Sequence, residues 1–317
     1  MHNSSPEFSV VIPINNEEEN ITELYRRLTI VIERLCTEAG RSKDSYEIIM
    51  VDDGSTDRSW QYIKELRIKD QRVKGISFSR NFGHHIAITA GLDHSTGEAV
   101  ILMDGDLQDP PEEIPRLYEK FKEGYDIVYA IREKRDDPIF KKISSRLFLR
   151  MLRKISNVDV NLQSGIFRII SKRCAENMKS LREKSRFIIG LMSWVGFSQA
   201  GVEIERHKRY AGRSKYTLFK LFKLAWHGVT SFSYIPLQLA TYCGFGVAAI
   251  SFLIGIYMLY RKLFLDIPLL GYASIIVSLF FLGGVILFVL GVIGEYIGRI
   301  YTEVQNRPLY VIKEEIG

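Results

Sequence analysis

The chain reads as an α/β domain with a mostly parallel sheet, followed by interfacial amphipathic helices and a C-terminal pair of membrane-spanning helices. Three observations predict this order. Short apolar runs ending in acidic or polar residues alternate with helical segments over roughly the first 130 residues. Two basic, aromatic-bearing stretches come next, and two long uncharged runs then lead to the C-terminal end.

Phe8 to Pro13 is the first expected strand, an apolar run ended by a proline. Glu17, Glu18 and Glu19 follow and are expected to open a helix, where carboxylates complement the helix dipole; Ile21, Leu24, Leu28 and Val31 supply its apolar face. Tyr46 to Val51 is a second strand, closed by Asp52-Asp53-Gly54-Ser55-Thr56-Asp57. Val73 to Phe78, Ala99 to Met103 and Ile127 to Ala130 are the third, fourth and fifth. The acidic or polar residues that end the first, second and fourth strands are acceptors suited to the hydroxyls and base edge of a nucleoside. Neither a P-loop nor a G-x-G-x-x-G follows a strand, so a diphosphate must meet a metal and basic side chains.

The fourth strand runs into Asp104-Gly105-Asp106-Leu107-Gln108-Asp109-Pro110-Pro111. Clustered carboxylates at the C-terminal end of a buried strand lie where α/β sheets hold ligands. On an extended chain Asp104 and Asp106 share a face, and two carboxylates with an amide oxygen suit a hard cation such as Mg²⁺ or Mn²⁺. Taken alone, the same residues also describe a solvated turn with a helix cap. Arg132, just past the fifth strand, is the nearest basic candidate for a diphosphate.

Composition sets outer bounds. The 317 residues can hold one large domain or two smaller ones, and a net charge of +6 admits nucleic acid or a membrane surface. The three cysteines, Cys36, Cys174 and Cys243, are far apart and show neither metal-ligand spacing nor a disulfide framework. Met1 to Glu7 lacks a basic start before an apolar core, so no secretory signal is expected.

Pro236 to Tyr260 and Leu269 to Gly294 carry no charged residue, and each exceeds the roughly 20 residues needed to cross a bilayer. The short link from Arg261 to Pro268 makes them a hairpin, which puts both chain ends on one side, expected to be cytoplasmic. Arg299, Arg307 and Lys313 agree with that orientation; Arg261 and Lys262 run against it. Glu295 is expected to pair with Arg299 one helical turn on. Glycine-rich stretches such as Gly283-Gly284 can serve helix association and hence a homo-oligomer. Before the spans, Phe140 to Ile155 and Leu218 to Val229 recur at helical spacing with basic residues opposite. Each reads either as an interfacial helix or as an ordinary core-facing one. The expected organisation is thus a soluble domain over 1–215 with an interfacial helix at about 139–156 and a juxtamembrane helix at 216–235. Transmembrane helices follow at about 236–260 and about 269–297, then a tail over 299–317.

Together these residues resemble the polyprenyl-phosphate glycosyltransferases of family 2, which have the GT-A fold. The likeness rests on V-V-I-P-I-N-N-E-E-E-N (Val10 to Asn20), V-D-D-G-S-T-D (Val51 to Asp57), S-R-N-F-G-H (Ser79 to His84) and A-G-L-D (Ala90 to Asp93). It continues through D-G-D-L-Q-D-P-P-E (Asp104 to Glu112), G-Y-D-I-V-Y-A-I-R (Gly124 to Arg132), G-R-S-K-Y (Gly212 to Tyr216) and L-G-V-I-G-E-Y-I-G-R-I-Y (Leu290 to Tyr301). The resemblance implies that Pro13, Asn15, Glu17 and Asp53 line a nucleotide-sugar pocket with Asp104, Gly105 and Asp106. It implies that Asp104, Asp106 and Gln108 hold Mg²⁺ or Mn²⁺, and that Arg132, Arg168, Arg213 and Lys215 meet the lipid phosphate. Catalysis would then rest on Asp106, Arg132, Arg168 and Lys215. Two departures stand out: the family often has Tyr at Asn15, and its bactoprenol branch tends to read G-D-F-R where this chain has Gly165-Ile166-Phe167-Arg168. Ile166 is therefore expected to pack in the core.

The activity implied is inverting transfer of a sugar from a nucleotide sugar, UDP-linked as in UDP-glucose, to undecaprenyl phosphate at the cytoplasmic membrane face. The rival readings are transfer of a modified sugar such as (formyl)aminoarabinose, whose branch also lacks that Asp, and a non-catalytic nucleotide-binding membrane scaffold. A Q-x-x-R-W motif of processive synthases is absent, and a nucleic-acid partner would leave the hairpin unexplained.

Overall fold

The computed structural model describes residues 6–132, 164–184, 186–204, 235–264 and 271–317. The chain divides into two compact units, one of residues 1–153, 157–215 and 307–317, the other of residues 154–156 and 216–306.

The first unit is built on an eight-stranded sheet. Its strands are β1 (Phe8–Ile14), β2 (Tyr46–Asp52), β3 (Val73–Phe78), β4 (Ala99–Leu102), β5 (Ile127–Arg132), β6 (Ser164–Ser171), β7 (Gln199–Ile204) and β8 (Ile312–Ile316). Their spatial order is β7-β5-β6-β4-β1-β2-β3-β8. β4, β1, β2 and β3 pair parallel. β6 is antiparallel to both β4 and β5, and β7 is parallel to β5, so only β6 and β8 run against the rest. All seven residues of β1 and all seven of β2 are buried, as expected of central strands covered on both faces.

The five strands expected from the apolar runs are present within two residues at each end. α1 (Ile21–Glu38) buries Ile21, Leu24, Leu28, Ile32 and Leu35 against the sheet. The three glutamates lie in the loop ahead of α1 rather than in its first turn, which holds only Glu23. Glu17 accepts a hydrogen bond from Asn20 Nδ2 at 2.5 Å, and Glu18 accepts one from the backbone N–H of Arg58 at 3.0 Å. They shape the loop that leaves β1 instead of charging a helix end. Among the described residues the remaining α-helices of this unit are α2 (Ser59–Lys69), α3 (His84–His94), α4 (Ile114–Phe121), α5 (Lys172–Ser180) and α6 (Ile188–Trp194).

The second unit contains α7 (Ile235–Phe264) and α8 (Tyr272–Val304). Their most apolar windows, Ala240–Tyr257 and Val277–Val304, have mean hydropathies of 1.6 and 2.6. Phe245, Phe252, Phe280 and Phe288 are 67–76% exposed. Helices that are apolar all round and this exposed can bury their side chains only in lipid or another apolar partner. Arg299 donates to Glu295 at 3.1 Å, the expected pair.

The stretch expected as a tail, 299–317, holds secondary structure. α8 runs on to Val304, and β8 then adds an antiparallel edge strand to β3 in the first unit. Both expected amphipathic stretches, 140–155 and 218–229, lie outside the described residues.

Candidate active site

Going outward from β1, the chain forms β2 and β3 on one side and then crosses to place β4 on the other. The crevice at the C-terminal ends of β1 and β4 is therefore the topological switch point, where loops diverge and a ligand can enter. Register aligns the neighbouring strand ends, with Ile14 opposite Asp52 and Val11 opposite Leu102. The loops after β1, β2, β3 and β4 consequently open on one edge.

The loops after β1 and β2 are stitched together. Asn15 Nδ2 donates to the Asp53 carbonyl at 2.9 Å, and the Asp53 N–H donates to the Ile14 carbonyl at 2.8 Å. Asn16, at φ 57°, accepts from the Thr56 N–H at 2.8 Å, while its own N–H reaches Ser55 Oγ at 3.0 Å. The Glu17 N–H donates to Ser59 Oγ at 3.0 Å. Asn15 is thus an exposed brace between loops, whereas Pro13 is buried.

Asp53 is 3% exposed and faces the loop after β3. Its carboxylate accepts from the N–H groups of Phe82 at 2.6 Å and Gly83 at 3.0 Å. Burial pushes this carboxyl above its ordinary value, the two amides oppose that, and the neighbouring Asp52 charge adds to the rise. Gly54, at φ 64°, makes the contact possible: a Cβ there would lie 2.5 Å from the Arg80 carbonyl carbon and 2.6 Å from the Asn81 nitrogen.

The Asp104 to Gln108 loop sits against the end of β1. A Cβ on Gly105 would lie 2.8 Å from Ile14 Cδ1 and 3.4 Å from the Pro13 carbonyl oxygen, so glycine lets the two loops touch. Leu107 follows at φ 56° and is 3% exposed, a left-handed leucine held by the packing around it. The turn it makes brings the Gln108 N–H to Asp106 Oδ1 at 3.1 Å and Gln108 Nε2 to Asp106 Oδ2 at 2.8 Å. Gln108 therefore braces Asp106. On the other side, His84 Nε2 lies 3.3 Å from Asp104 Oδ1.

Among the described residues no three His, Cys, Asp or Glu side chains form a ready-made metal cage. The candidate donors are instead the carboxylates of Asp104 and Asp106 on one tight loop, with the Gln108 amide held against Asp106. That suits a Mg²⁺- or Mn²⁺-type ion whose remaining positions come from substrate phosphates and water.

The basic residues divide. Arg132 ends β5, while Arg213 and Lys215 lie outside the described residues. Arg168 departs from its expected place on a phosphate-binding surface. It is 1% exposed, and its guanidinium donates to the carbonyls of Gly165 at 2.6 Å and Ile166 at 3.3 Å and to Met192 Sδ at 3.2 Å. Burial lowers it to about 10, still a cation at neutral pH. These bonds tie β6 to α6. Ile166 is 6% exposed and packs as expected. His85, beside His84 at the start of α3, is pushed down to about 4 by burial and then by the charges of His84, Arg168 and Arg186, which keeps it neutral.

Sequence reasoning passed over His84, Phe82 and Gly83 as site residues. The available signal was the S-R-N-F-G-H run, which directly follows β3 as the acidic loops follow β1, β2 and β4.

Comparison with known proteins agrees with this fold. Residues 9–198 match Glycosyl transferase family 2, and residues 235–300 match the GtrB C-terminal hairpin. A protein of Bacillus subtilis (strain 168) described as the uncharacterized glycosyltransferase YkcC is 46% identical over 98% of this chain and 94% of its own. The bactoprenol glucosyl transferase of Shigella phage SfII is 45% identical over 96% of this chain and 97% of its own. A prophage bactoprenol glucosyl transferase homolog of Escherichia coli (strain K12) is 41% identical over 96% and 98%. With its GT-A sheet and its acidic loops at the switch point, the chain belongs to glycosyl transferase family 2 and is a glycosyltransferase.

Proposed function

We propose that this glycosyltransferase moves a sugar, with inversion, from a UDP-linked donor such as UDP-glucose to undecaprenyl phosphate at the cytoplasmic face of the cell membrane. One observation carries the reading: the loop after β3, whose amides hold Asp53, also reaches the Asp104–Asp106 loop through His84 at 3.3 Å, in a chain that carries two long, exposed apolar helices. The relatives named for bactoprenol support the lipid acceptor.

In this reading Asp53 and the β1 loop, with Pro13, Asn15 and Glu17, hold the nucleoside. The second lone pairs of the Asp53 oxygens serve a base N–H or a ribose hydroxyl. Asp104 and Asp106 hold a divalent cation, Mg²⁺ or Mn²⁺, which supplies neutralising charge to the leaving diphosphate. Gln108 keeps Asp106 in register. Arg132, Arg213 and Lys215 meet the acceptor phosphate. A phosphate monoester has its second pKa near about 6, so its attacking oxygen is largely ionised at neutral pH and no side chain must remove a proton. That oxygen bonds to sugar C1 as the bond from C1 to the diphosphate oxygen breaks on the opposite face. Ile166 in place of a carboxylate is compatible with such chemistry, because the work is to hold two anions together.

The full-length protein is to be incubated with undecaprenyl phosphate, Mg²⁺ and a panel of nucleotide sugars, with the lipid product weighed by mass spectrometry. A polyprenyl-phosphate hexose is expected. A (formyl)aminoarabinose product would move the donor assignment, and no lipid-linked sugar from any donor would end the reading. Asp106→Asn should cut turnover by about 10²-fold or more, the scale of losing a group that stabilises transition-state charge. Full turnover in that variant would remove the metal role.

A further inference from the structure

The loop that supplies Asp53 with its two amide donors is held in turn by the far end of the chain. Phe78, the last residue of β3, is 1% exposed. The Tyr310 ring stacks on it at 5.1 Å and 19°, and the Phe82 ring meets it edge-on at 5.6 Å and 86°. Phe82 is the residue whose N–H donates to Asp53 at 2.6 Å. The backbone is joined there as well, since the Ser79 N–H donates to the Val311 carbonyl at 2.9 Å.

Tyr310 is fixed at its other end. Its hydroxyl donates to Asp93 Oδ2 at 2.8 Å, and Asp93 is gripped by Arg182 at 2.8 and 3.0 Å. β8 then carries the segment along β3, with Ser77 opposite Glu314 but Phe78 opposite Ile312. The extra residue, Lys313, makes a bulge that re-aims the chain toward Tyr310. Glu314 anchors the strand by accepting from Trp60 Nε1 at 2.7 Å.

We infer that residues 310–312 form a strap that sets the donor pocket, with Tyr310 as a positioning residue acting through Phe78 and Phe82 on Asp53. The inference rests on the donor reading of Asp53. Tyr310 touches no reacting atom, so its loss weakens donor binding and leaves the chemical step alone. Because coupling between two sites is reciprocal, a bound nucleotide also tightens the strap.

Two measurements on the full-length protein test this. Tyr310→Ala is expected to raise the donor KM about fivefold with kcat and acceptor KM within about twofold, while Tyr310→Phe, which keeps the ring, restores the donor KM. An unchanged donor KM in Tyr310→Ala, or a fall in kcat alone, overturns the proposal, as does failure of Tyr310→Phe to restore KM. Hydrogen exchange on the unmodified protein covers the case in which Tyr310→Ala does not fold. UDP, with binding confirmed by calorimetry, should slow exchange across Val311–Ile316 severalfold, and unchanged exchange with UDP bound overturns the strap alone. If UDP, GDP and CDP all fail to bind, the donor reading of Asp53 falls and the inference falls with it.

Discussion

At the scale of the residue, Asp53 shows how one carboxylate is made usable where burial opposes its charge. Burial raises its pKa, and the Phe82 and Gly83 amides partly offset that rise. A carboxyl whose folded pKa is raised holds its proton at a pH where the unfolded chain has lost it. Its ionisation therefore costs stability as pH rises from the unfolded value through the folded one. Only the ionised form accepts hydrogen bonds at both oxygens. The expected outcome is that UDP affinity, followed by calorimetry between pH 4 and pH 7, falls on acidification above the usual Asp range near about 4. Asp53→Asn should bind UDP more weakly and with a flatter pH dependence, what remains coming from the terminal phosphate of UDP, which titrates at about 6; a variant that keeps the wild-type pH profile would show that Asp53 is not the group that titrates. Asp53, Asp104 and Asp106 were legible in the sequence because each follows an apolar run that could only be a buried strand. The burial of Arg168 was not legible: a guanidinium among Gly165, Ile166 and Phe167 reads as a surface ligand until the carbonyls that receive it are seen.

At the scale of elements, strands covered on both faces announced themselves and edge or interrupted strands did not. β1, β2 and β4 are buried throughout and read as apolar runs. β6 hid because Arg168 splits its apolar sequence, and β7 because Gln199, Gly201 and Glu203 suit a half-exposed strand. β8 has the sequence Ile-Lys-Glu-Glu-Ile, a charged edge whose burial alternates but whose middle inward-facing position is Glu314 rather than an apolar residue. The loops between elements carry the more exacting geometry, and Gly54 is the sharpest case. Alanine there must adopt a left-handed backbone, which costs about 1–2 kcal/mol by itself. It must also push its methyl into the Arg80–Asn81 peptide, which is backbone and cannot rotate away. Gly54→Ala should therefore lower the thermal midpoint and weaken UDP binding together, because the displaced peptide leads directly to Phe82 and Gly83. Gly105→Ala meets only the end of the Ile14 side chain at its closest approach, so its thermal midpoint should fall less. Equal losses in the two glycine variants would show that the loop after β3 is not specially constrained.

At the scale of the whole molecule, the position of β8 bears on topology more strongly than the charges around the helices do. Arg261 and Lys262 in the link conflict with Arg299, Arg307 and Lys313 under the positive-inside rule. β1 and β8 belong to one sheet, and one sheet cannot lie on both sides of a bilayer. A chain that leaves that sheet, forms α7 and α8, and returns to it must therefore cross the bilayer an even number of times if it crosses at all. If the sheet lies in the cytoplasm and the two helices span the bilayer, as proposed, the link between them faces outward. Cysteine labelling with a membrane-impermeant maleimide resolves this, and the native thiols favour the experiment. Cys36 and Cys174 are both buried, and burial pushes each thiol up to about 12, so neither presents a thiolate at neutral pH. With Cys243→Ser as background, Asp266→Cys should label in intact cells, whereas Lys313→Cys should label only after the membrane is opened. Protection of both positions until permeabilisation would mean that α7 and α8 lie along the cytoplasmic surface rather than spanning the bilayer. The helices would then anchor the enzyme without forming a transmembrane hairpin, and the donor site proposed at the switch point would stand unaltered.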